Sequence, residues 1–269
     1  MNKPLLAAAA AAVCLSPAFA QPVFNVTGGM SFPYFGPITL DSVEFTPGGD
    51  LFTAFYQPTS VTNLQLTGTP GTLEVVNGNT VVATYAGVPA TFEPFMTTAL
   101  QNLNLNHYIN IGNQQSFFSY DVLFSTEVFD DNPMMFDAQG EILVSERGGI
   151  TGGTPGNSFI TFTALDAMGL PIGVPFVLSP DLYQPLSPGQ TVLSSQPIGM
   201  AAIDLSLMGV SSLWGVRLST AAVISPPGGD SAPDGVVLGV NTLQFIPEPA
   251  SLLLLIGAAP LLARRRRSA

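Results

Sequence analysis

The stretch Leu73-Glu-Val-Val-Asn-Gly-Asn-Thr-Val-Val-Ala-Thr-Tyr85 decides the fold class of this 269-residue chain. β-Branched residues stand on both sides of the Asn77-Gly78 pair. An Asn-Gly pair between two such runs is typical of a type I′ β-hairpin, because both turn residues must adopt positive φ. The stretch therefore predicts two antiparallel strands joined by a tight turn.

The segments that follow show the same β periodicity. Residues 101–111 place Leu103, Leu105, His107, Ile109 and Ile111 on one face and Asn102, Asn104, Asn106, Tyr108 and Asn110 on the other. A period of two predicts a half-buried strand. Residues 116–129 predict a long central strand whose aromatic face carries Phe118, Tyr120, Val122 and Phe124. No helical period lasts three turns, so we expect no amphipathic helix.

Short strands separated by Gly and Pro turns recur through residues 21–245. This pattern predicts an all-β domain, an antiparallel β-sandwich of jelly-roll type. A length of this order is compatible with one domain. A division near residues 132–140 into two smaller sandwiches is the alternative.

The charge balance limits the classes of partner. Residues 21–245 contain two basic residues, Arg147 and Arg217, against seventeen Asp plus Glu, a formal charge of −15. Nucleic-acid binding depends on neutralising phosphates with Lys and Arg, so we expect no nucleic-acid partner. We expect both arginines to pair with buried acids in a structural role.

The first twenty residues have the three parts of a secretory signal peptide. Lys3 precedes an apolar run at residues 5–15, and Ala18-Phe19-Ala20 forms an A-x-A cleavage site before Gln21. We expect a signal helix that signal peptidase removes after Ala20. Cys14 is the only cysteine and lies in this segment, so the mature protein is expected to lack disulfides.

The last residues contain three features in a fixed order. Pro247-Glu248-Pro249 is followed by an apolar run at residues 250–263 and then by Arg264, Arg265, Arg266 and Arg267. This order resembles the C-terminal sorting signal of PEP-CTERM proteins, and the resemblance covers residues 246–269. It implies recognition by exosortase, an integral-membrane cysteine protease thought to cut near the triplet, and delivery outside the cell.

The physical properties of the C-terminal segment agree with this resemblance. Fourteen apolar residues span about 21 Å as a helix, against a hydrocarbon core of about 30 Å. The arginine stems can extend along the acyl region while the guanidinium groups stay at the interface. Positive charge next to a span is retained in the cytoplasm, so we expect a C-terminal transmembrane helix with residues before Pro247 outside. A core helix followed by a basic tail is the alternative.

Few residues could carry chemistry. His107 is the only histidine, and we expect a semi-buried, hydrogen-bonded imidazole. Without further Cys or His, zinc and thiol chemistry are not expected. A glycoside hydrolase would need two facing carboxylates, with Asp121, Glu127, Glu141 and Glu146 as candidates. We expect no catalytic residue and no enzymatic activity.

Two surface sites remain possible from the sequence. Asp130, Asp131, Asp137 and Glu141 supply oxygen ligands that calcium could use, although turn chemistry also explains them. No other metal or cofactor is expected. The polar face formed by Asn102, Asn104, Asn106 and Tyr108 could bind sugars, and a solvated sheet face is the alternative.

These observations predict an exported protein that crosses the inner membrane, is anchored briefly by its tail and then belongs to the cell surface or extracellular matrix. The alternative is a carbohydrate-binding module that attaches to exopolysaccharide. A concave face lined by exposed Tyr or by Trp214, the only tryptophan, would favour that alternative.

Overall fold

The computed structural model describes residues 22–28, 30–31, 34–35, 37–45, 51–67, 72–77, 80–112, 117–130, 140–147, 159–186, 198–220 and 235–242. The predicted signal helix and the whole PEP-CTERM-like segment lie outside these residues. Within the described ranges, no helix is long and apolar enough to cross a membrane.

Strands account for most of the described elements. They are β1 Pro22–Thr27, β2 Met30–Ser31, β3 Tyr34–Phe35, β4 Thr39–Phe45, β5 Leu51–Phe52, β6 Phe55–Tyr56, β7 Pro58–Thr67, β8 Thr72–Asn77, β9 Thr80–Thr84, β10 His107–Gly112, β11 Phe117–Phe129, β12 Ile142–Arg147, β13 Ile160–Leu165, β14 Pro171–Leu178, β15 Gln184–Pro185, β16 Ile198–Ile203, β17 Ser212–Thr220 and β18 Val237–Val240. One α-helix, α1, spans Pro89–Leu100, and 3₁₀ turns occur at Pro180–Leu182 and Leu205–Met208.

The first large sheet has five antiparallel strands in the order β14-β13-β17-β11-β7. β11 pairs on both sides, as predicted for the long aromatic strand. Its residues Phe118, Tyr120, Val122 and Phe124 are all buried. Large apolar side chains at alternate positions cover one face of the sheet, which explains why this segment forms an interior strand.

The second large sheet has the order β15-β16-β12-β18-β6, again antiparallel throughout. In β12, Ile142, Leu143 and Val144 are all fully buried, so both faces of this strand are covered. The two large sheets touch where β11 packs against β18, since a Cβ on Gly239 would lie only 2.7 Å from Val128 Cγ2. The chain is therefore all-β with little helix, as predicted.

Both large sheets combine strands from before and after residues 132–140. In the first sheet, β11 precedes this segment and pairs with β17, which follows it. In the second sheet, β6 precedes the segment and pairs with β18, which follows it. A domain boundary at residues 132–140 would separate strands that share hydrogen bonds.

The hairpin prediction is confirmed, but the turn lies one residue later than predicted, so Val76 pairs with Val81, two positions beyond the expected partner. β8 pairs antiparallel with β9, and Asn77 lies opposite Thr80, whereas a turn at Asn77-Gly78 would pair Val76 with Asn79. Asn77 also pairs with His107 of β10, so strand contacts on both sides hold it in the sheet. Residues 78 and 79 lie outside the described part.

The expectation that the chain has no helix of three turns is wrong, because α1 has twelve residues. Phe92, Met96, Ala99 and Leu100 are buried at helical spacing. Pro89 occupies the first turn, where its missing N–H costs nothing. Pro94 lies inside the helix and disfavours helix formation in the isolated sequence. Packing of the apolar face overrides that local preference.

Helix α1 covers the free edge of the first large sheet. β7 is the edge strand, and its Val61 N–H donates to Thr97 Oγ1 (2.8 Å) while its Leu64 N–H donates to Glu93 Oε1 (2.9 Å). One helical turn further on, Gln101 Nε2 donates to the Thr59 carbonyl (2.9 Å). Residues four apart lie on one helix face, so a single face of α1 satisfies backbone groups that an edge strand otherwise exposes.

Candidate functional site

A wide irregularity in β11 creates the most distinctive surface of the described chain. In the pairing of β11 with β17, Leu123 lies opposite Gly215 and Val128 lies opposite Leu213. Four residues of β11, 124–127, therefore lie opposite the single residue Trp214 of β17. Gly215 allows the close approach, since a Cβ there would lie 2.4 Å from the Val122 carbonyl oxygen. Bulges bend a strand and redirect its side chains, often beside functional sites.

A cleft of about 320 Å³ lies next to this irregularity. We call it the Trp214 cleft. Strands β11, β14 and β17 and the turn between β13 and β14 supply its lining residues, which are Glu127, Asp166, Ala167, Met168, Ile172, Ser212, Leu213 and Trp214. An indole, a thioether and two carboxylates thus line one cavity, and none of the lining residues is basic.

Hydrogen bonds hold both carboxylates in place. Ser212 Oγ donates to Glu127 Oε1 at 2.6 Å. Asp166 Oδ1 accepts the N–H groups of Met168 (2.8 Å) and Leu170 (2.9 Å), and Gly169 N–H donates to the Asp166 carbonyl (2.9 Å). This arrangement is an Asx-type turn, in which the Asp side chain replaces backbone partners. The turn holds Met168 79% exposed at the rim of the cleft.

A second cavity, of about 460 Å³, is lined by Phe55, Tyr56, Gln57, Pro58, Thr59, Gln101 and Ser125. Tyr56 Oη donates to Asn241 Oδ1 at 2.8 Å, and burial raises the pKa of this phenol. The hydroxyl is therefore held neutral, and none of the lining residues carries a charge. The lining could contact a polar neutral molecule, but it contains no His, Lys, Asp or Glu that could activate the hydroxyls of Thr59 and Ser125.

The four carboxylates considered for glycoside cleavage do not share one cavity among the described residues. Asp121 is 1% exposed and forms a two-point ion pair with Arg217, through Nε (2.6 Å) and Nη2 (2.9 Å). Glu141 and Glu146 are buried in the second sheet, and Glu127 lines the Trp214 cleft. The prediction that Arg217 pairs with a buried acid is confirmed, and the side chain of Arg147 lies outside the description.

Glu141 is a buried acid whose environment disfavours its charged form. Burial raises its pKa well above the usual range, and the nearby Asp204 and Asp130 carboxylates raise it further, although an N–H bond from Leu205 (3.0 Å) opposes this. Asp131 and Asp137, two of the four calcium candidates, lie outside the described residues. Within the described part of the chain, no group of three or more His, Cys, Asp or Glu side chains could hold a metal.

His107 is half-buried, as expected. Its Nδ1 lies 2.9 Å from Asn102 Nδ2, and burial lowers its pKa. A lowered pKa keeps the imidazole neutral near pH 7, so Nδ1 can accept the amide hydrogen. This hydrogen bond connects His107, the first residue of β10, to Asn102 in the turn that follows α1.

The polar face predicted for residues 101–111 does not form. Only His107–Gly112 is a strand, and residues 101–106 turn the chain after α1. Asn104 Oδ1 accepts the N–H groups of Ile38 (3.1 Å) and Asn106 (3.0 Å), and Asn106 itself is 2% exposed. Asn side chains readily bond to nearby backbone, so these residues build a turn instead of a sugar-binding surface.

The residues predicted for sorting, signal cleavage and membrane retention all lie outside the described part of the chain. The sequence analysis named Glu127 and Trp214 as candidate residues, but it did not predict that they line the same cleft. Asp166, Met168 and Ser212 were missed as cleft residues. The sequence Asp166-Ala-Met-Gly169 was the available signal, because Asp and Gly at this spacing are typical of a tight surface turn.

Comparison of the chain with protein-family models, curated proteins and solved structures gave no match.

Proposed function

We propose that this protein is an exported cell-surface or extracellular-matrix protein, that exosortase sorts and cuts it at its C-terminal segment, and that it has no enzymatic activity of its own. One observation carries the proposal: Pro247-Glu248-Pro249, a short apolar run and four arginines occur in that order at residues 246–269.

The length of the apolar run supports a temporary membrane anchor. Residues 250–263 give a helix of about 21 Å, which is shorter than the hydrocarbon core of about 30 Å. Arginines at the cytoplasmic side retain the segment, and the two prolines stiffen the backbone on the other side. A protease in the membrane would therefore meet Glu248 on restrained backbone at the outer surface.

The first residues support the same route. Ala18 and Ala20 precede Gln21 in an A-x-A pattern, which signal peptidase recognises. Removal of residues 1–20 discards Cys14, so the exported protein depends on burial and hydrogen bonds instead of disulfides.

The described body suits such a role. We take the two five-stranded sheets to be the layers of a β-sandwich, since β11 contacts both β18 and β6 of the other sheet. Buried apolar side chains from strands of both sheets belong to a single core cluster. A core of this kind can hold a domain together without covalent links.

The proposal is tested by intact mass spectrometry of the protein released by a host that makes exosortase. We expect a chain that begins at Gln21 and has lost Arg264–Arg267. The Glu248→Ala variant should remain in the membrane fraction at the mass that includes the arginines. A host without exosortase should give the same retained form with the unaltered sequence.

Glu44→Ala is the matched control, because it removes one acid from β4 and leaves the C-terminal segment unchanged. It should be released at the processed mass. Released protein that still contains Arg264–Arg267, or a Glu248→Ala variant processed normally, would show that the triplet is not the signal.

A further inference from the structure

We propose that the Trp214 cleft binds an alkylammonium group, with the cation between Glu127, Asp166 and the indole of Trp214 and its apolar stem against Met168 and Ile172. This inference concerns the described body and goes beyond the proposed export function.

The charges of the cleft select a cation. Glu127 and Asp166 both line it, and none of its lining residues is basic. Glu127 Oε1 accepts a bond from Ser212, and Asp166 Oδ1 accepts two N–H groups, so these hydrogen bonds use one oxygen atom of each carboxylate. These bonds fix the carboxylates without neutralising their charge. An anion would be repelled, and a neutral hydrogen-bond donor would gain less from the two carboxylates than a cation does.

The apolar lining selects an organic cation over a hydrated metal ion. The apolar part of the lining consists of Leu213, which is 1% exposed, Ile172, Ala167 and the highly exposed Met168. A metal ion would need several oxygen ligands, and the described residues contain no group of acids able to hold one. Trp214 adds an aromatic face, which attracts ammonium groups most strongly among the aromatic residues.

The shape of the cleft also disfavours an extended glycan. A sugar chain usually binds along an open platform of aromatic side chains, whereas Trp214 is only partly exposed and is the one aromatic residue of this lining. A volume of about 320 Å³ is sufficient for a short amine.

Trp214 is the only tryptophan in the chain, so its fluorescence reports on this cleft alone. The test titrates the full chain, in non-ionic detergent, with n-butylammonium chloride at ionic strength held constant by NaCl. We expect a saturable change with a dissociation constant on the order of millimolar, as befits a ligand of five heavy atoms. n-Butanol, which has the same stem without the charge, should bind at least about tenfold more weakly.

Glu127→Gln keeps the oxygen that Ser212 bonds and removes the charge, so it should weaken binding by about fivefold. Asp166→Asn keeps the Oδ1 acceptor of the turn and removes the charge, so it tests the second carboxylate independently. Glu44→Gln, the same change on β4, should leave the titration unchanged. Near-UV circular dichroism of each variant verifies that the cleft is folded.

A lysine with both termini blocked tests the source of the ammonium group. Binding equal to that of butylammonium supports a lysine side chain of a partner protein, and binding of the free amine alone supports a small amine. The inference is overturned if butanol or the neutral sugar cellotriose matches butylammonium, if Glu127→Gln and Asp166→Asn bind unchanged, or if no titration saturates. None of these outcomes depends on how the C-terminal segment is processed.

Discussion

At the scale of single residues, Asp121 shows how the few charges of the body are used. Its carboxylate is 1% exposed, and it accepts bonds from Arg217 and from Asn63 Nδ2 (2.7 Å). The bond with Asp121 raises the pKa of Arg217, which stays cationic. A buried carboxylate requires such partners because its desolvation is unfavourable without them.

Replacing Arg217 with Leu should therefore lower the free energy of unfolding by roughly 3 kcal/mol, because the buried charge of Asp121 loses its main partner. The double variant Asp121→Asn with Arg217→Leu should recover part of this loss, since no charge remains to be buried. Urea unfolding followed by circular dichroism measures both values. Equal losses in the single and double variants would mean that packing of the arginine stem, not the charge, accounts for the effect.

Glu141 gives a pH dependence of known sign. Its pKa in the folded protein is raised well above the usual range, so the folded state binds more protons than the unfolded state between the two pKa values. Stability should accordingly decrease as pH rises from the unfolded pKa of about 4.3 through the raised folded value, and then level off. Glu141→Gln should remove this decrease and make the protein more stable at neutral pH.

Urea unfolding of both proteins between pH 4 and 8 is the measurement. Glu44→Gln serves as the matched control and should retain the decrease seen in the unaltered protein. A Glu141→Gln variant that loses stability in parallel with the unaltered protein over this range would assign the pH dependence to another group.

At the scale of elements, α1 shows where local sequence and tertiary packing disagree. Its two prolines and β-branched threonines predict no helix, whereas the buried positions 92, 96, 99 and 100 follow a helical period. The strands were easier to predict, because β11 alternates apolar and polar residues from Phe118 to Val122 and its apolar face is plain in the sequence. The Trp214 cleft could not be predicted, since it depends on an irregular register between β11 and β17.

The edge contact of α1 makes a prediction for this element. Thr97→Val removes the oxygen that accepts the Val61 N–H and leaves that donor unsatisfied at the sheet edge, so unfolding should become easier by about 1–3 kcal/mol. Thr98→Val is the matched control, because the exposed Thr98 hydroxyl donates within the helix, to the Pro94 carbonyl (3.0 Å).

Thermal unfolding at several protein concentrations would measure both effects. An unsatisfied edge also invites pairing with another chain, so Thr97→Val should show more association than Thr98→Val by light scattering. Identical behaviour of the two variants would mean that α1 does not protect this edge.

At the scale of the whole molecule, the all-β class was predictable from turn residues and two-residue periodicity, but the sharing of strands between the halves was not. Pairing between β7, β11 and β17 joins residues 50 to 100 positions apart, and no local pattern encodes such partners. The C-terminal segment behaves in the opposite way. Its proposed role can be inferred from the order of residues alone, because short motifs recognised as extended or helical peptides need no tertiary context.

Because strands before and after residues 132–140 pair with each other, we predict that these two halves of the body unfold together. Leu64 is 4% exposed on β7, so Leu64→Ala should cost about 3 kcal/mol, and the loss should appear equally in circular dichroism and in the fluorescence of Trp214 on β17. Leu51→Ala makes the same change at a side chain 48% exposed and should shift neither signal appreciably. If Leu64→Ala shifted the circular dichroism midpoint while Trp214 kept its own, the halves would be separate folding units. That result would favour two smaller sandwiches and require the pairing of β11 with β17 to form after each half has folded.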